Sequence, residues 1–287
     1  MGYESSDGRR RIMTKIATIT LNDGVGIPQL GFGTAPMSDD VAEASVATAL
    51  EVGYRHIDTA AAYGNETGIG KALAASGLPR DQVFVTTKLD SPEHKQGDAR
   101  SGLEASLERL GLDHVDLYLI HWPLPKTGRF VQIWEQFLQL RSEGLTRSIG
   151  VSNFLPQHLD ALQDETGITP SVNQFELHPT HQEEELINYC HDAEIAVEAY
   201  APLGNATDLD ARVIQDIARE SQATPAQVIL AWHLHRGFIA IPKSSTAARI
   251  QENFDAAWLK LSSSQLSAID GMHTGSNKVW GDPLEVN

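Results

Sequence analysis

Four residues of types that move protons occur in order along the chain, each close to the end of a short apolar stretch: Asp58, Tyr63, Lys88 and His121. A phenol with an ordinary pKa near 10 is a weak acid at neutral pH. A neighbouring ammonium group stabilises the phenolate, and a carboxylate can compensate that ammonium charge in a buried site. An imidazole can hold a substrate oxygen while the phenol donates its proton. The four side chains together therefore predict a proton-transfer site.

The elements that would position these side chains follow from the pattern of apolar residues. After residue 15, short apolar stretches rich in β-branched residues alternate with amphipathic helical patterns. The predicted strands are residues 30–33, 56–59, 83–88, 115–121, 148–151, 172–176, 196–200 and 238–242. The predicted helices include residues 41–52, 66–75, 102–110, 131–143, 182–192, 211–220 and 226–233. Asp58, Lys88 and His121 thus lie at the ends of the second, third and fourth predicted strands.

Strand–helix alternation of this kind is typical of a parallel sheet covered by helices. Eight such units predict an α/β fold, a closed (β/α)8 TIM barrel, in which active sites lie at the C-terminal ends of the strands. An Asn-Asp-Gly turn between residues 17–21 and 25–27 predicts an N-terminal β-hairpin before the barrel. We expect residues 1–14 to be a flexible N-terminal extension and residues 15–287 to form a single barrel domain.

A doubly wound dinucleotide-binding sheet is the competing fold. Its fingerprint requires three glycines at fixed spacing in a turn that opens a helix after the first strand. The glycine pair Gly31 and Gly33 has no third glycine and is followed by Pro36, and a second pair, Gly68 and Gly70, lies inside a helical pattern. The sequence therefore favours the barrel.

Composition excludes several classes of partner. The chain has 287 residues, is 41% hydrophobic and carries a formal net charge of −16. So acidic a surface repels phosphate backbones and anionic membranes, and no apolar stretch reaches the about 18 residues of a membrane span. We expect no nucleic-acid or membrane partner, a cytoplasmic location and a monomer. Cys190 is the only cysteine, so an intrachain disulfide is impossible, and no metal-ligand spacing occurs around His178 and His181.

Several segments together resemble a known family. They read GYRHIDTA at 53–60, YGNE at 63–66, KL at 88–89, LIHWP at 119–123, IGVSNF at 149–154, NQ at 173–174, AYAPLG at 199–204 and IPKS at 241–244. In order and spacing they closely resemble the aldo-keto reductases. The segment 280–286 is most similar to the prokaryotic 2,5-diketo-D-gluconate reductase-type subgroup. The resemblance covers the chain from about residue 17 to its end.

The resemblance implies an enzyme that uses NADPH to reduce a small aldehyde, ketone or dicarbonyl to an alcohol by hydride transfer. By position, Tyr63 would donate the proton, Lys88 and Asp58 would tune Tyr63, and His121 would orient the carbonyl. A non-catalytic NADPH-binding protein of the same fold is the alternative, and the intact set of four residues favours the enzyme. A barrel hydrolase would need a pair of carboxylates at the strand ends, and the sequence offers no such pair.

The resemblance also assigns residues to the cofactor. Ser152, Asn153 and Gln174 would hold the nicotinamide carboxamide, and Tyr200 would stack on the ring. The other expected cofactor residues are Leu203, Lys243, Ser244, Arg249 and Asn253. Cations and hydroxyls at a helix start suit the 2′-phosphate of NADPH. The same stretch would alternatively be an ordinary helix start with Thr246 as its N-cap and solvated charges.

The expected substrate pocket contains Ala35, Asp90 and Trp122. Aldose-reductase-like members carry tryptophans where this chain has Ala35 and Asp90, whereas Trp122 is retained. We therefore expect a wider and more polar pocket. A carboxylate at its mouth would lower the local concentration of anionic substrates, although Lys126 and Arg129 could offset that repulsion.

Overall fold

The computed structural model describes residues 16–275 and 278–286, so the extension expected at residues 1–14 lies outside the described residues. The chain begins with an antiparallel hairpin of β1 (Thr18–Thr20) and β2 (Gly26–Pro28), as predicted. At its turn, the Asp23 carboxylate accepts hydrogen bonds from the hydroxyls of Ser148 at 2.7 Å and Ser171 at 2.9 Å. These serines lie near the N-terminal ends of two strands of the main sheet. The hairpin therefore covers the N-terminal end of that sheet.

The main sheet contains eight parallel strands in chain order. They are β3 (Phe32–Gly33), β4 (His56–Asp58), β5 (Phe84–Leu89), β6 (Val115–Ile120), β7 (Thr146–Ser152), β8 (Val172–Glu176), β9 (Ala196–Tyr200) and β10 (Ile239–Ala240). Parallel bridges of Leu30 with Ala240 and of Gly33 with Lys243 join the last strand to the first. The sheet thereby closes, and the predicted (β/α)8 barrel is confirmed. Its first and last strands are shorter than predicted.

Eleven α-helices occur in the described part of the chain. They are α1 (Asp39–Val52), α2 (Glu66–Ala75), α3 (Ser91–Gln96), α4 (Ala99–Leu110), α5 (Phe130–Ser142), α6 (Pro156–Thr166), α7 (Glu184–Asp192), α8 (Arg212–Ser221), α9 (Pro225–His235), α10 (Ala247–Asp255) and α11 (Ser263–Asp270). Local sequence explains several boundaries. Thr224 and Gln227 form a capping box that starts α9, with Pro225 at the first helical position. No helix in these described ranges is long and apolar enough to cross a membrane.

The two-residue period of a strand decides which side chains enter the barrel. On β5, Val85 and Leu89 pack against the helices, whereas Phe84 belongs to an apolar cluster inside the barrel. The same alternation turns Thr86 and Lys88 inward, with Lys88 nearest the C-terminal end. The inner apolar cluster consists of Leu21, Ile27, Phe84, Leu117, Leu119, Val172 and Ile239. It fills the end of the barrel that the hairpin covers, which leaves polar side chains at the other end.

The hairpin anchor gives a test of this arrangement. We expect Asp23→Ala to lower the free energy of unfolding by about 1–3 kcal/mol, the usual cost of leaving buried hydroxyl donors unpaired. Ser148 and Ser171 are both buried. Urea denaturation measures the change, and Glu51→Ala on the exposed face of α1 is the matched control. Equal unfolding free energies for Asp23→Ala and the control would contradict the anchoring role.

Candidate active site

Lys88 is the centre of a buried polar cluster at the C-terminal end of the barrel. Its ammonium nitrogen lies 2.6 Å from Asp58 Oδ1, 2.9 Å from the Thr59 carbonyl oxygen and 3.3 Å from the Tyr63 hydroxyl. The side chain of Lys88 is fully buried. An ammonium group has three donors and no acceptor, so these contacts use all of its hydrogen-bonding capacity.

Asp58 connects this lysine to the opposite side of the barrel. Its second oxygen, Oδ2, accepts a hydrogen bond from Gln174 Nε2 at 2.8 Å. Asp58 ends β4, Lys88 lies on β5 and Gln174 lies on β8. Burial opposes the charge of Lys88, but the carboxylate of Asp58 outweighs burial and raises the pKa of Lys88. The lysine therefore stays protonated.

Tyr63 and His121 face each other above this ion pair. Tyr63 ends the short 3₁₀ helix Ala61–Tyr63, and its ring meets the His121 ring edge-on with 5.7 Å between ring centres. His121 follows the last residue of β6, and Asn153 Nδ2 donates to its carbonyl oxygen at 3.0 Å. Burial, with the nearby charge of Lys88, lowers the pKa of His121 to about 3. The imidazole is therefore neutral and has one N–H that can donate to a substrate oxygen.

Lys88 acts on the pKa of Tyr63 in the expected direction, but burial has the larger effect. Burial raises the pKa of Tyr63, and the ammonium of Lys88 offsets only part of that rise. The physical reason is that a phenolate loses its hydration in this site, while the single positive charge beside it is shared with Asp58. Tyr63 is consequently protonated at neutral pH, which is the state that a proton donor requires.

A chain of hydrogen bonds leads from Asp58 through Gln174 to three further expected cofactor residues. Ser152 Oγ donates to the Gln174 carbonyl oxygen at 2.8 Å, and Asn153 Nδ2 donates to Ser152 Oγ at 3.0 Å. The Tyr200 hydroxyl donates to Asn153 Oδ1 at 2.8 Å. These bonds fix the amide of Asn153 and the ring of Tyr200 beside the four residues.

One cavity of about 990 Å³ connects both ends of the expected cofactor site. Asp58, Tyr63 and His121 line it, whereas Lys88 lies buried behind them. All nine expected cofactor residues line the same cavity: Ser152, Asn153, Gln174, Tyr200, Leu203, Lys243, Ser244, Arg249 and Asn253. The structure thus brings together residues that lie about a hundred positions apart in sequence.

The start of α10 contains features that both interpretations of the basic stretch expect. The side chain of Thr246 makes no capping hydrogen bond within the described chain, and Ser244 Oγ instead accepts from the Thr246 amide at 3.1 Å. Thr246 thus occupies the N-cap position, as the alternative expects, but its side chain does not cap the helix. Lys243 and Arg249 are exposed on the cavity wall, where a helix start and two cations favour an anion.

The expected substrate residues divide into two groups. Ala35 and Trp122 line the cavity, as does Trp280, which the sequence analysis missed. Asp90 is not among the described residues that line this cavity. Its carboxylate accepts a hydrogen bond from the Ser91 amide at 2.6 Å and caps α3. The carboxylate of Asp90 is thus held at the start of α3, and its expected contact with substrate stays a prediction.

Glu198 is a second residue that the sequence analysis missed. It lies on β9, inside the barrel and fully buried, and His56 Nε2 is 3.6 Å from its carboxylate. Burial, reinforced by the charge of Asp58, raises the pKa of Glu198 to about 8. Strand alternation could have found this residue, because Glu198 and Tyr200 must point to the same side of β9.

A parallel barrel with a proton-transfer site at its C-terminal strand ends, beside a long cavity, defines a barrel enzyme for a small substrate. The chain belongs to the aldo/keto reductase family, whose sequence profile matches residues 24–273. The family expected from the sequence is thereby confirmed.

Individual relatives agree over nearly the whole chain. An aldo-keto reductase of Mycolicibacterium smegmatis is 47% identical over 269 residues, which cover 94% of this chain and 98% of that protein. The methylglyoxal reductase DkgA of Yersinia pestis is 48% identical over 273 residues, with 94% and 98% covered. The crystal structure of a Gox0644 variant in complex with NADPH has a TM-score of 0.91 and 36% identity, covering 96% of this chain and 100% of that one.

Glu198 predicts a specific dependence of stability on pH. Its pKa in the folded protein, about 8, lies above the ordinary value of 4.5, so the folded state retains a proton that the unfolded state has lost between these values. Stability should therefore fall as pH rises through this window. Glu198→Gln should reduce this pH-dependent loss of unfolding free energy by more than 1 kcal/mol, because each unit of pKa shift corresponds to about 1.4 kcal/mol.

Urea denaturation at pH 5, 6.5 and 8 measures the effect. Glu43→Gln, at a half-exposed carboxylate on α1, is the matched control. A Glu198→Gln variant whose stability changes with pH as steeply as that of the original protein would show that Glu198 is ionised throughout.

Proposed function

We propose that this protein reduces small aldehydes, ketones or dicarbonyls to alcohols with NADPH, and that Tyr63 donates the proton. The observation that carries the proposal is the single ammonium of Lys88, which contacts both Asp58 and the Tyr63 hydroxyl at the wall of a long cavity. A catalytic acid needs such a group, because the phenolate formed by proton donation must be stabilised.

The residues along the cavity fit NADPH. Amide and hydroxyl groups of Ser152, Asn153 and Gln174 offer both donors and acceptors for a carboxamide, and Tyr200 offers a flat face for a ring. Leu203 adds apolar wall between the two ends. Residues before and along α10 would hold the 2′-phosphate: Lys243, Ser244, Arg249 and Asn253. NADPH bound to the structurally similar Gox0644 variant supports the same cofactor here.

Each of the four residues has a separate role in the proposed reaction. A bound reduced nicotinamide supplies the hydride that the carbonyl carbon accepts. Neutral His121 donates a hydrogen bond that holds the carbonyl oxygen, and Tyr63 passes its proton to that oxygen as negative charge develops on it. Lys88, 3.3 Å from the Tyr63 hydroxyl, then stabilises the phenolate, and Asp58 keeps the ammonium in place.

The cavity wall near Tyr63 favours small polar carbonyl compounds. Ala35 leaves open the space that a larger side chain would fill, and Trp122 and Trp280 supply two flat apolar faces. A relative named methylglyoxal reductase, 48% identical to this chain, supports dicarbonyls as a substrate class.

The proton donor is tested by Tyr63→Phe. We expect kcat to fall by about 10²–10⁴-fold, the usual contribution of a positioned general acid, with NADPH affinity little changed. Methylglyoxal or diacetyl with NADPH serves as the assay. Tyr118→Phe is the matched control, because Tyr118 is buried against Phe137 and its hydroxyl has no hydrogen-bond partner in the described structure. Normal turnover by Tyr63→Phe would assign the proton to another group. No turnover by the unchanged protein would favour the non-catalytic alternative.

Cofactor choice is tested by Arg249→Ala. A charge-assisted contact to the 2′-phosphate has no counterpart in NADH. The variant should therefore bind NADPH more weakly by about 1.5–3 kcal/mol, the range for hydrogen bonds to charged groups, and NADH almost equally well. Fluorescence titration with both cofactors measures this, with Arg100→Ala, on α4 and outside the cavity, as control. Equal losses for the two cofactors would give Arg249 a structural role instead.

A further inference from the structure

Glu176, the last residue of β8, holds the C-terminal segment of the chain. Its two carboxylate oxygens accept hydrogen bonds from the backbone amides of Val279 at 2.6 Å and Trp280 at 2.9 Å. Glu176 is buried, and hydrogen bonds to a carboxylate are among the strongest in proteins. Because Trp280 lines the cavity, Glu176 sets the position of that part of the cavity wall.

His178 connects this carboxylate to a second one. Its Nδ1 lies 2.8 Å from Asp208 Oδ2, and its Nε2 lies 3.3 Å from Glu176 Oε1. A histidine can donate from both ring nitrogens only when it is protonated. Burial lowers the pKa of His178, but the hydrogen bonds to Asp208 and Glu176 outweigh burial and raise it to about 9. A buried cation therefore lies between two buried carboxylates.

Asp208 belongs to the turn Gly204–Asp210, which lies over the same cavity through Asn205 and Ala206. These two residues have φ of 50° and 72°, a left-handed conformation that non-glycine residues keep only where surrounding contacts hold them. Gly204 also has a positive φ, and a Cβ atom there would lie 2.8 Å from His178 Nδ1. The turn is thus fitted closely around His178.

Thr180 adds contacts to both segments. Its amide and hydroxyl donate to Asp208 at 3.1 Å and 2.7 Å, and its carbonyl oxygen accepts from the Thr274 amide at 3.1 Å. Other groups near His178 are the His181 ring, 5.7 Å away, and the neutral ring of His233, whose pKa burial lowers to about 3. The charge balance at His178 therefore depends on Glu176 and Asp208.

We propose that Glu176, His178 and Asp208 form a clasp that couples the tail at residues 278–280 to the turn Gly204–Asp210, so that two walls of the cavity are ordered together. The three are positioning residues: they hold Trp280 and the turn in place and take no part in proton transfer. The structural part of this inference is independent of the proposed function. The kinetic part of the inference rests on the proposed function, because it assigns the turn Gly204–Asp210 to the cofactor site and Trp280 to the substrate site.

Amide hydrogen exchange of the protein without cofactor tests the coupling directly. Asp208→Asn removes one charge from the clasp but touches neither Val279 nor Trp280. We expect the amides of Val279 and Trp280 to exchange roughly fivefold faster or more, the lower end of couplings between protein sites. Reciprocally, Glu176→Gln should accelerate exchange in residues 204–211. Acceleration confined in each variant to its own segment would overturn the proposal.

Two further variants guard this test against misfolding and against a non-specific effect. Thr180→Val removes a single hydroxyl from Asp208, and it should give the same pattern with smaller changes if Asp208→Asn does not fold. His158→Gln is the matched control, because His158 is also buried but caps α6, where its Nδ1 accepts from the Leu155 amide. This control should leave amide exchange at residues 279–280 and 204–211 unchanged. Faster exchange there in the control would show that the effect is a general loss of stability and would contradict the proposal.

The kinetic test separates positioning from catalysis. Asp208→Asn should raise both the KM for methylglyoxal and the Kd for NADPH by a similar factor of about five or more, while kcat stays within about twofold because Tyr63 and Lys88 are untouched. A large fall in kcat with unchanged KM would contradict a positioning role. Failure of NADPH to bind the unchanged protein would remove the proposed function and leave the exchange result standing.

Discussion

The arrangement at the C-terminal end of the barrel depends on one buried ion pair, Lys88 with Asp58 at 2.6 Å. An ammonium group without hydration is strongly unfavourable unless a carboxylate compensates it, and loss of one partner leaves an uncompensated buried charge. Asp58 in turn is held by Gln174 from across the barrel. Three strands therefore have to keep their register for the charge to be tolerated. The same charge is the one that Tyr63 would need as the proposed proton donor, so a single contact serves both stability and the proposed chemistry.

Burial explains why His121 and Tyr63 are both uncharged beside the ion pair of Lys88 and Asp58. His121 is neutral because desolvation and Lys88 both disfavour a second cation. Tyr63 is neutral because desolvation exceeds the attraction of Lys88. Beside the ion pair of Lys88 with Asp58 the barrel thus presents two neutral donors, which is a suitable environment for an oxygen atom that becomes negative.

Much of this could be predicted from the sequence, for a definite reason. Asp58, Lys88 and His121 lie at or next to strand ends, and closing the barrel places all strand ends of one kind together. Position alone does not determine where a side chain points, and Asp90 shows this: its carboxylate accepts a hydrogen bond from the Ser91 amide, and Asp90 does not line the cavity. The direction of the Tyr63 pKa shift depends on the balance between burial and charge, which spacing does not reveal. The contact of Glu176 with Val279 spans 103 residues and follows no period.

The hairpin at the other end of the barrel determines from which side a ligand can reach the cavity. Ile27 of the hairpin and Leu21 beside it join Leu117 and Leu119 in a plug across the barrel axis. In the described part of the chain, this plug closes the N-terminal end of the barrel, so a molecule would reach Tyr63 from the C-terminal end. A molecule that lies deeper in the cavity has to arrive before the one that covers it and depart after it.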